Sequence, residues 1–154
     1  MMRSELYSEL YLVDTSIWLE VLPPGRGSDE LRGRIDELLA ADMVATMGMV
    51  KLELLGGARS LEEWQRLDEL LSALHPLPVT EVNWQDAARM GFQLRRQGIS
   101  VPFTDLLIAA VATAAPAILV HRDRHFDFIA AHLPLDVESH LAYGAIKGPD
   151  CPHN

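Results

Sequence analysis

Apolar residues in this chain follow two rhythms. Short unbroken apolar runs alternate with longer stretches in which apolar side chains recur every third or fourth position. The first marks buried strands and the second amphipathic helices. Residues 10–13 predict a strand buried on both faces that ends at Asp14, and Thr15 and Ser16 can each cap the next helix, over 17–22, which Pro23-Pro24-Gly25 stops. Ser28 can cap a helix reaching Ala40, with Leu31, Ile35, Leu38 and Leu39 on one face. A strand over 43–46 follows, then a helix from Met49 that carries Leu52, Leu54 and Leu55 and stops at Gly56-Gly57. Ser60 and Glu63 have capping-box spacing and open a helix ending near Leu74. Residues 75–80 contain two prolines and predict a strand nearer an edge.

Thr80 then caps a long helix to about Gln97, with Ala87, Met90 and Leu94 inward and Gly98 closing it. Pro102 stands where a first helical turn begins, and the helix 103–114 is apolar nearly all round, which predicts deep burial. A strand over 117–120, a short helix over 126–131 and a last edge strand at Leu135-Asp136-Val137 complete the pattern. Trp18, Trp64 and Trp84 fall in helical patterns and are expected in the core. Strands separated by helices imply an α/β fold, one three-layer α/β/α domain around a central parallel sheet of four to five strands. The expected division is a domain over 1–143 and a flexible polar tail over 144–154.

Charge changes this picture more than size does. A chain of 154 residues carries a net charge of −9, with 22 acids against 13 bases. That balance argues against general attraction to phosphate. Two readings remain: the partner is not nucleic acid, or the acids are grouped to hold a metal while a local basic patch meets phosphates. Cys151 is the single cysteine, so an internal disulfide framework is excluded and a reducing, cytoplasmic setting is expected. Residues 1–10 lack the apolar segment of a signal peptide, and the apolar reach 106–120 is broken by Pro116, short of the roughly 20 residues that cross a bilayer. No membrane association is expected.

Four acids stand out by position. Asp14 ends the first strand; Glu53 lies among leucines; Asp105 opens the apolar helix; Asp123 follows the fourth strand. In a parallel sheet the carboxyl ends of the first and fourth strands point the same way, so Asp14 and Asp123 can meet at the edge where open α/β sheets place ligands. Gathered carboxylates must take up protons unless a cation compensates, and hard oxygen donors suit Mg²⁺ or Mn²⁺. Each acid also has a plainer reading. Asp14 can be only a helix cap, Asp105 an ordinary helix-start acid and Asp123 a turn residue. Glu53 is hardest to explain this way, since a glutamate buried among leucines needs a partner.

The order and setting of these residues resemble the PIN-domain ribonucleases, in particular the toxins of the VapC type. The shared segments are Leu12-Val13-Asp14-Thr15-Ser16 with Trp18, Glu53 before Leu54-Leu55-Gly56-Gly57, Thr104-Asp105 leading into Leu106-Leu107-Ile108-Ala109-Ala110, and Arg122-Asp123-Arg124-His125-Phe126 after an apolar strand. The resemblance implies a PIN-like fold and metal-dependent cleavage of RNA that leaves a 5′-phosphate and a 3′-hydroxyl. It implies Asp14, Glu53, Asp105 and Asp123 as catalytic residues, with Asp14, Asp105 and Asp123 as Mg²⁺ (or Mn²⁺) ligands. Thr15, Ser16, Thr104 and His121 are expected around them. A homodimer and a cognate antitoxin protein are implied as partners. One position departs from the family: His121 stands where a Thr or Ser two residues before the last acid is usual, and a packing or supporting role is expected of it rather than ligation.

Arg122 and Arg124, with Arg95 and Arg96 further off, are candidate RNA phosphate contacts. Asp127 is a spare acid. An aspartic protease, suggested by Asp14-Thr15-Ser16, would need an all-β body. A receiver-type signalling module would need a lysine at a late strand end, and the only late lysine is Lys147. A catalytically silent PIN-like binding domain stays open. The apolar positions between Leu61 and Leu74 are the expected dimer surface.

Overall fold

The computed structural model describes residues 9–24 and 27–141. The expected fraying from Gly144, the tail residues Lys147 and Cys151, and the turn at Gly25 fall outside them. Strand β1 (Tyr11–Val13) leads into α1 (Thr15–Val21), α2 (Asp29–Ala40), β2 (Val44–Met47), α3 (Gly48–Gly56) and α4 (Leu61–Ser72). Strand β3 (His75–Leu77), α5 (Glu81–Arg96), α6 (Phe103–Ala114), β4 (Ile118–His121), α7 (Arg124–His132) and β5 (Val137–Ser139) follow. All pairings are parallel, in the order β3-β2-β1-β4-β5. This is the expected three-layer α/β arrangement.

The strand order decides where a site can form. Chain connections run outward from β1 on both sides, so the crevice between the carboxyl ends of β1 and β4 is the switch point of the sheet. Val13 pairs with Val120, and the Asp14 N–H donates to the Val120 carbonyl at 2.9 Å. Asp14 therefore leaves β1 beside His121, the last residue of β4, with Asp123 two residues further on. Leu12, Val13, Leu119 and Val120 have no exposed surface, which is why these short strands carry no alternation.

Several local expectations shift. The cap of α1 is Asp14 rather than Thr15 or Ser16, because its carboxylate accepts the Ser16 N–H. In α4 only half of the capping box forms: Ser60 accepts the Glu63 N–H, while the Glu63 carboxylate takes the N–H of Arg59 instead. Thr80 and Asn83 make a complete box at the start of α5, and Gly98 ends that helix at φ 78°, a left-handed conformation suited to glycine. Strand β4 runs one residue further than expected, to His121, whose carbonyl accepts the His140 N–H. Strand β5 lies later than expected, and Leu135 packs in the core instead.

Burial also corrects the sequence reading. Residues 106–112 of α6 are buried, but Phe103 at its start is 77% exposed. Trp18 is a core residue as expected; Trp64 and Trp84 are exposed. Helix α3 is not committed to the core along its length, since only Val50 and Leu54 are buried and Leu52 and Glu53 face solvent. Gly91 is where α5 closes on α6: a Cβ there would stand 2.9 Å from Leu106. Among the described residues no helix is long and apolar enough to cross a membrane.

Candidate active site

The four acids come from four separate places in the fold and lie near enough to one another beyond the β1–β4 crevice to raise one another's proton affinity. Asp14 is 5% exposed, and its Oδ2 accepts both the Ser16 N–H (3.0 Å) and the Ser16 hydroxyl (2.6 Å). The same hydroxyl accepts the Arg122 N–H at 2.9 Å, tying the start of α1 to the residue after β4. Burial raises the Asp14 pKa; the Ser16 bonds oppose this, and the Asp123 charge adds to it. Asp14 is therefore both a cap and a member of the acidic group.

Asp105 lies in the first turn of α6. Burial first, then the charges of Asp123 and Asp14, push its pKa up to about 6, with His125 opposing and Glu53 adding to the rise. Glu53 reaches the group from the rim. The residue as a whole is exposed, yet its carboxyl end is desolvated enough, and near enough to Asp14 and Asp123, to have its pKa raised, with the Thr15 hydroxyl opposing. It does not lie buried among core leucines, which corrects the sequence argument while leaving it beside the other acids.

Asp123 caps α7, its Oδ1 accepting the His125 N–H at 2.9 Å. The His125 Nδ1 then stands 3.0 Å from Asp123 Oδ1 and 3.2 Å from Asp105 Oδ2. Sequence reading gave His125 no role. The available signal was its spacing: a residue two after a helix cap is turned back beside the capping carboxylate.

His121 has no exposed surface and packs against Phe126, ring centres 5.2 Å apart. Its Nδ1 accepts the Asp123 N–H at 3.0 Å, and its Nε2 is 3.2 Å from Asp127 Oδ1. Burial lowers its pKa, against the pull of Asp127, Asp14 and Asp123. It is a buried ring that holds the Asp123 backbone from below. Asp127 accepts the Ser139 hydroxyl at 2.9 Å, so it links His121 to β5. Thr104 is exposed and its hydroxyl makes no hydrogen bond among the described residues, so the structure does not draw it into the group.

Arg122 pairs with Glu20 at 3.1 Å, while Arg124 is exposed at the start of α7. Arg95 and Arg96 end α5, where Arg96 lies over the Phe92 ring at 5.7 Å. Between α5 and α6, an apolar groove lined by Trp84, Phe92, Val101, Phe103 and Leu106 contains none of the four acids.

A crevice at the switch point of a parallel sheet, walled by carboxylates that raise one another's proton affinity, defines an α/β protein with an acidic site at the edge where such folds place ligands. The PIN-domain family matches residues 11–131. Ribonuclease VapC18 of Mycobacterium tuberculosis is 31% identical over 126 residues, covering 79% of this chain and 88% of the relative. Among solved structures, VapBC2 from Rickettsia felis, bound to a DNA fragment from its promoter, superposes with a TM-score of 0.69 at 24% identity. It covers 84% of this chain and 98% of that one. VapBC-5 of M. tuberculosis, a member of the VapBC family of toxin–antitoxin systems, gives 0.57 at 24% identity, covering 88% and 100%. This chain belongs to the PIN-domain family and stands with its VapC-type ribonucleases. The match sets aside the receiver-type and protease readings.

Proposed function

We propose that this protein is a divalent-metal-dependent endoribonuclease and the toxin of a toxin–antitoxin pair. The observation that carries the reading is the convergence of Asp14, Glu53, Asp105 and Asp123 from four elements, with burial and mutual repulsion raising the pKa values of Asp14, Glu53 and Asp105. The residues fit a metal. The donors are hard oxygens in excess of nearby cations, and one buried polar atom beside them, His125 Nδ1, has no hydrogen-bond partner among the described residues. Asp14, Asp105 and Asp123 would hold Mg²⁺ or Mn²⁺, and Glu53 completes the anionic wall from α3. When bound, such an ion offsets phosphodiester charge and makes the attacking water more acidic.

The chain's own residues prepare this chemistry. Ser16 fixes the Asp14 carboxylate, and the α7 cap fixes Asp123 while His121 holds its backbone from below. The α6 N-terminus favours the Asp105 anion. The test is cleavage of a mixed RNA pool by the purified full-length protein. Cutting is expected with Mg²⁺ or Mn²⁺ and not with chelator; cutting that persists in chelator would sink the metal-dependent reading.

Arg124 and Arg122 are assigned to RNA phosphates at the rim, Arg124 being the more available because Glu20 holds Arg122. Arg124→Ala should weaken RNA binding and reduce the slope of log affinity against log salt by roughly 0.7, the single-strand value for one lost contact. An unchanged slope in binding titrations at several salt concentrations would remove that role.

The VapBC relatives support a cognate antitoxin as partner; a second copy of the chain and a cytoplasmic setting without membrane association complete the proposal. Exposed Leu61 and Trp64 on α4, and Trp84, Phe92 and Phe103 on α5 and α6, are the apolar side chains available for contacts. A monomeric mass in solution would remove the homodimer, and absence of a small adjacent gene whose product neutralises the protein would remove the antitoxin.

A further inference from the structure

We infer that His125 is itself a metal ligand, giving Nδ1 alongside Asp105 and Asp123, and that this mixed nitrogen and oxygen donor set selects Mn²⁺ over Mg²⁺. The inference rests on the metal-dependent reading above and goes beyond it by adding a residue and a preference.

Three observations carry it. First, His125 Nδ1, Asp105 and Asp123 each offer a donor atom within 4.8 Å of the other two. The measured separations of 3.0 and 3.2 Å match the spacing of neighbouring donors around one octahedral ion, roughly 3 Å for bonds of about 2.1 Å.

Second, Nδ1 is buried yet makes a hydrogen bond to neither carboxylate. The lone pair of a neutral imidazole nitrogen lies in the ring plane, along the line that a proton would occupy. Since that line reaches neither oxygen at bonding angle, the ring stands at ion-pair distance from both acids while its Nδ1 line stays open.

Third, the backbone holds the arrangement. The His125 N–H is bonded to Asp123 Oδ1 in the first turn of α7, so the two side chains are presented together by one cap rather than by two mobile stems.

The preference follows from donor chemistry. Mg²⁺ is hard, keeps its waters and takes carboxylate and phosphate oxygens. Imidazole nitrogen suits first-row transition ions, and Mn²⁺ is the member of that series which also accepts carboxylates and water readily. Adding the His125 nitrogen to the Asp105 and Asp123 carboxylates therefore favours Mn²⁺ relative to a site built of carboxylates alone.

The test uses full-length protein free of any antitoxin and reads binding rather than cleavage. Mn²⁺ is titrated and followed by electron paramagnetic resonance, including the nitrogen hyperfine coupling that a directly bonded imidazole gives; Mg²⁺ is titrated by calorimetry. The wild type should show the nitrogen coupling and bind Mn²⁺ more tightly than Mg²⁺. His125→Ala should lose the coupling and weaken Mn²⁺ by about tenfold, with Mg²⁺ affinity nearly unchanged. His125→Gln, closer in length and polarity, should behave alike, with unchanged circular dichroism showing that both variants fold. Coupling absent from the wild type, or persisting in both variants, overturns the inference. If Mn²⁺ binds without nitrogen coupling and is lost in Asp105→Asn, the nuclease reading stands and His125 is excluded. If the wild type binds neither ion, both fall.

Discussion

Asp105→Asn is expected to lower RNA cleavage by at least about 10²–10³-fold, the scale on which removal of one charge-stabilising group acts, and at neutral pH to stabilise the metal-free protein. The second effect comes from the same electrostatics as the first. Burial and the Asp123 and Asp14 charges raise the Asp105 pKa from 3.8 to about 6. A carboxyl with a raised pKa contributes stability below its unfolded value, about pH 4, and that contribution is lost as pH rises through about 6. Above that, the ionised group works against the fold by on the order of 2 kcal/mol. Asparagine keeps the shape and removes the charge. Denaturation in chelator should therefore show the variant more stable than wild type near pH 8, the difference shrinking below about pH 6 and vanishing near pH 4. Added Mn²⁺ or Mg²⁺ should close the gap by stabilising the wild type alone. A variant no more stable than wild type near pH 8 would mean that the carboxylates do not repel as their placement requires.

Asp14 allows its two roles to be separated. As a cap it accepts the Ser16 N–H, and as a member of the acidic group it carries charge next to Asp123. Asparagine is as good a cap as aspartate, whereas alanine caps poorly, a loss of about 0.5–2 kcal/mol. Asp14→Asn is expected to remove cleavage while leaving the melting temperature of the metal-free protein equal or higher. Asp14→Ala is expected to remove cleavage and lower the melting temperature, because it also strands the Ser16 hydroxyl that tethers Arg122. Retained cleavage in Asp14→Asn would reduce Asp14 to its capping role.

The alternation of strands and helices, the edge position of β3, the capped start of α5 and the glycine that ends it were all legible before any coordinates, because each rests on local chemistry. So was the meeting of Asp14 with Asp123, since parallel strands share a carboxyl edge. Exposure was less legible. Periodicity tells which face of a helix is apolar but not whether another element covers it, and so Trp84 in α5 and Leu52 in α3 are exposed where burial was expected. Glu53 was singled out for a burial it does not have, although it does lie beside the other acids. His125 was quoted only as part of a shared segment and given no role. Its place depends on α6 and α7 meeting, and that contact lies between residues 20 positions apart in sequence, Asp105 and His125, with no periodic pattern joining them.

The tether between the Ser16 hydroxyl and the Arg122 amide joins residues 106 positions apart. Contacts of such long range form late, since chain entropy must be overcome before they are rewarded. The acidic crevice thus has no partial version: during synthesis, the segment from β1 to α6 carries Asp14, Glu53 and Asp105 but lacks the strand that brings Asp123 and His125 across. A nascent or locally unzipped chain lacks the complete site. On the proposed reading, competence to cut is expected to arise with the docking of β4 against β1, and hydrogen exchange at the Val120–Asp14 rung should report the same event as the onset of cleavage.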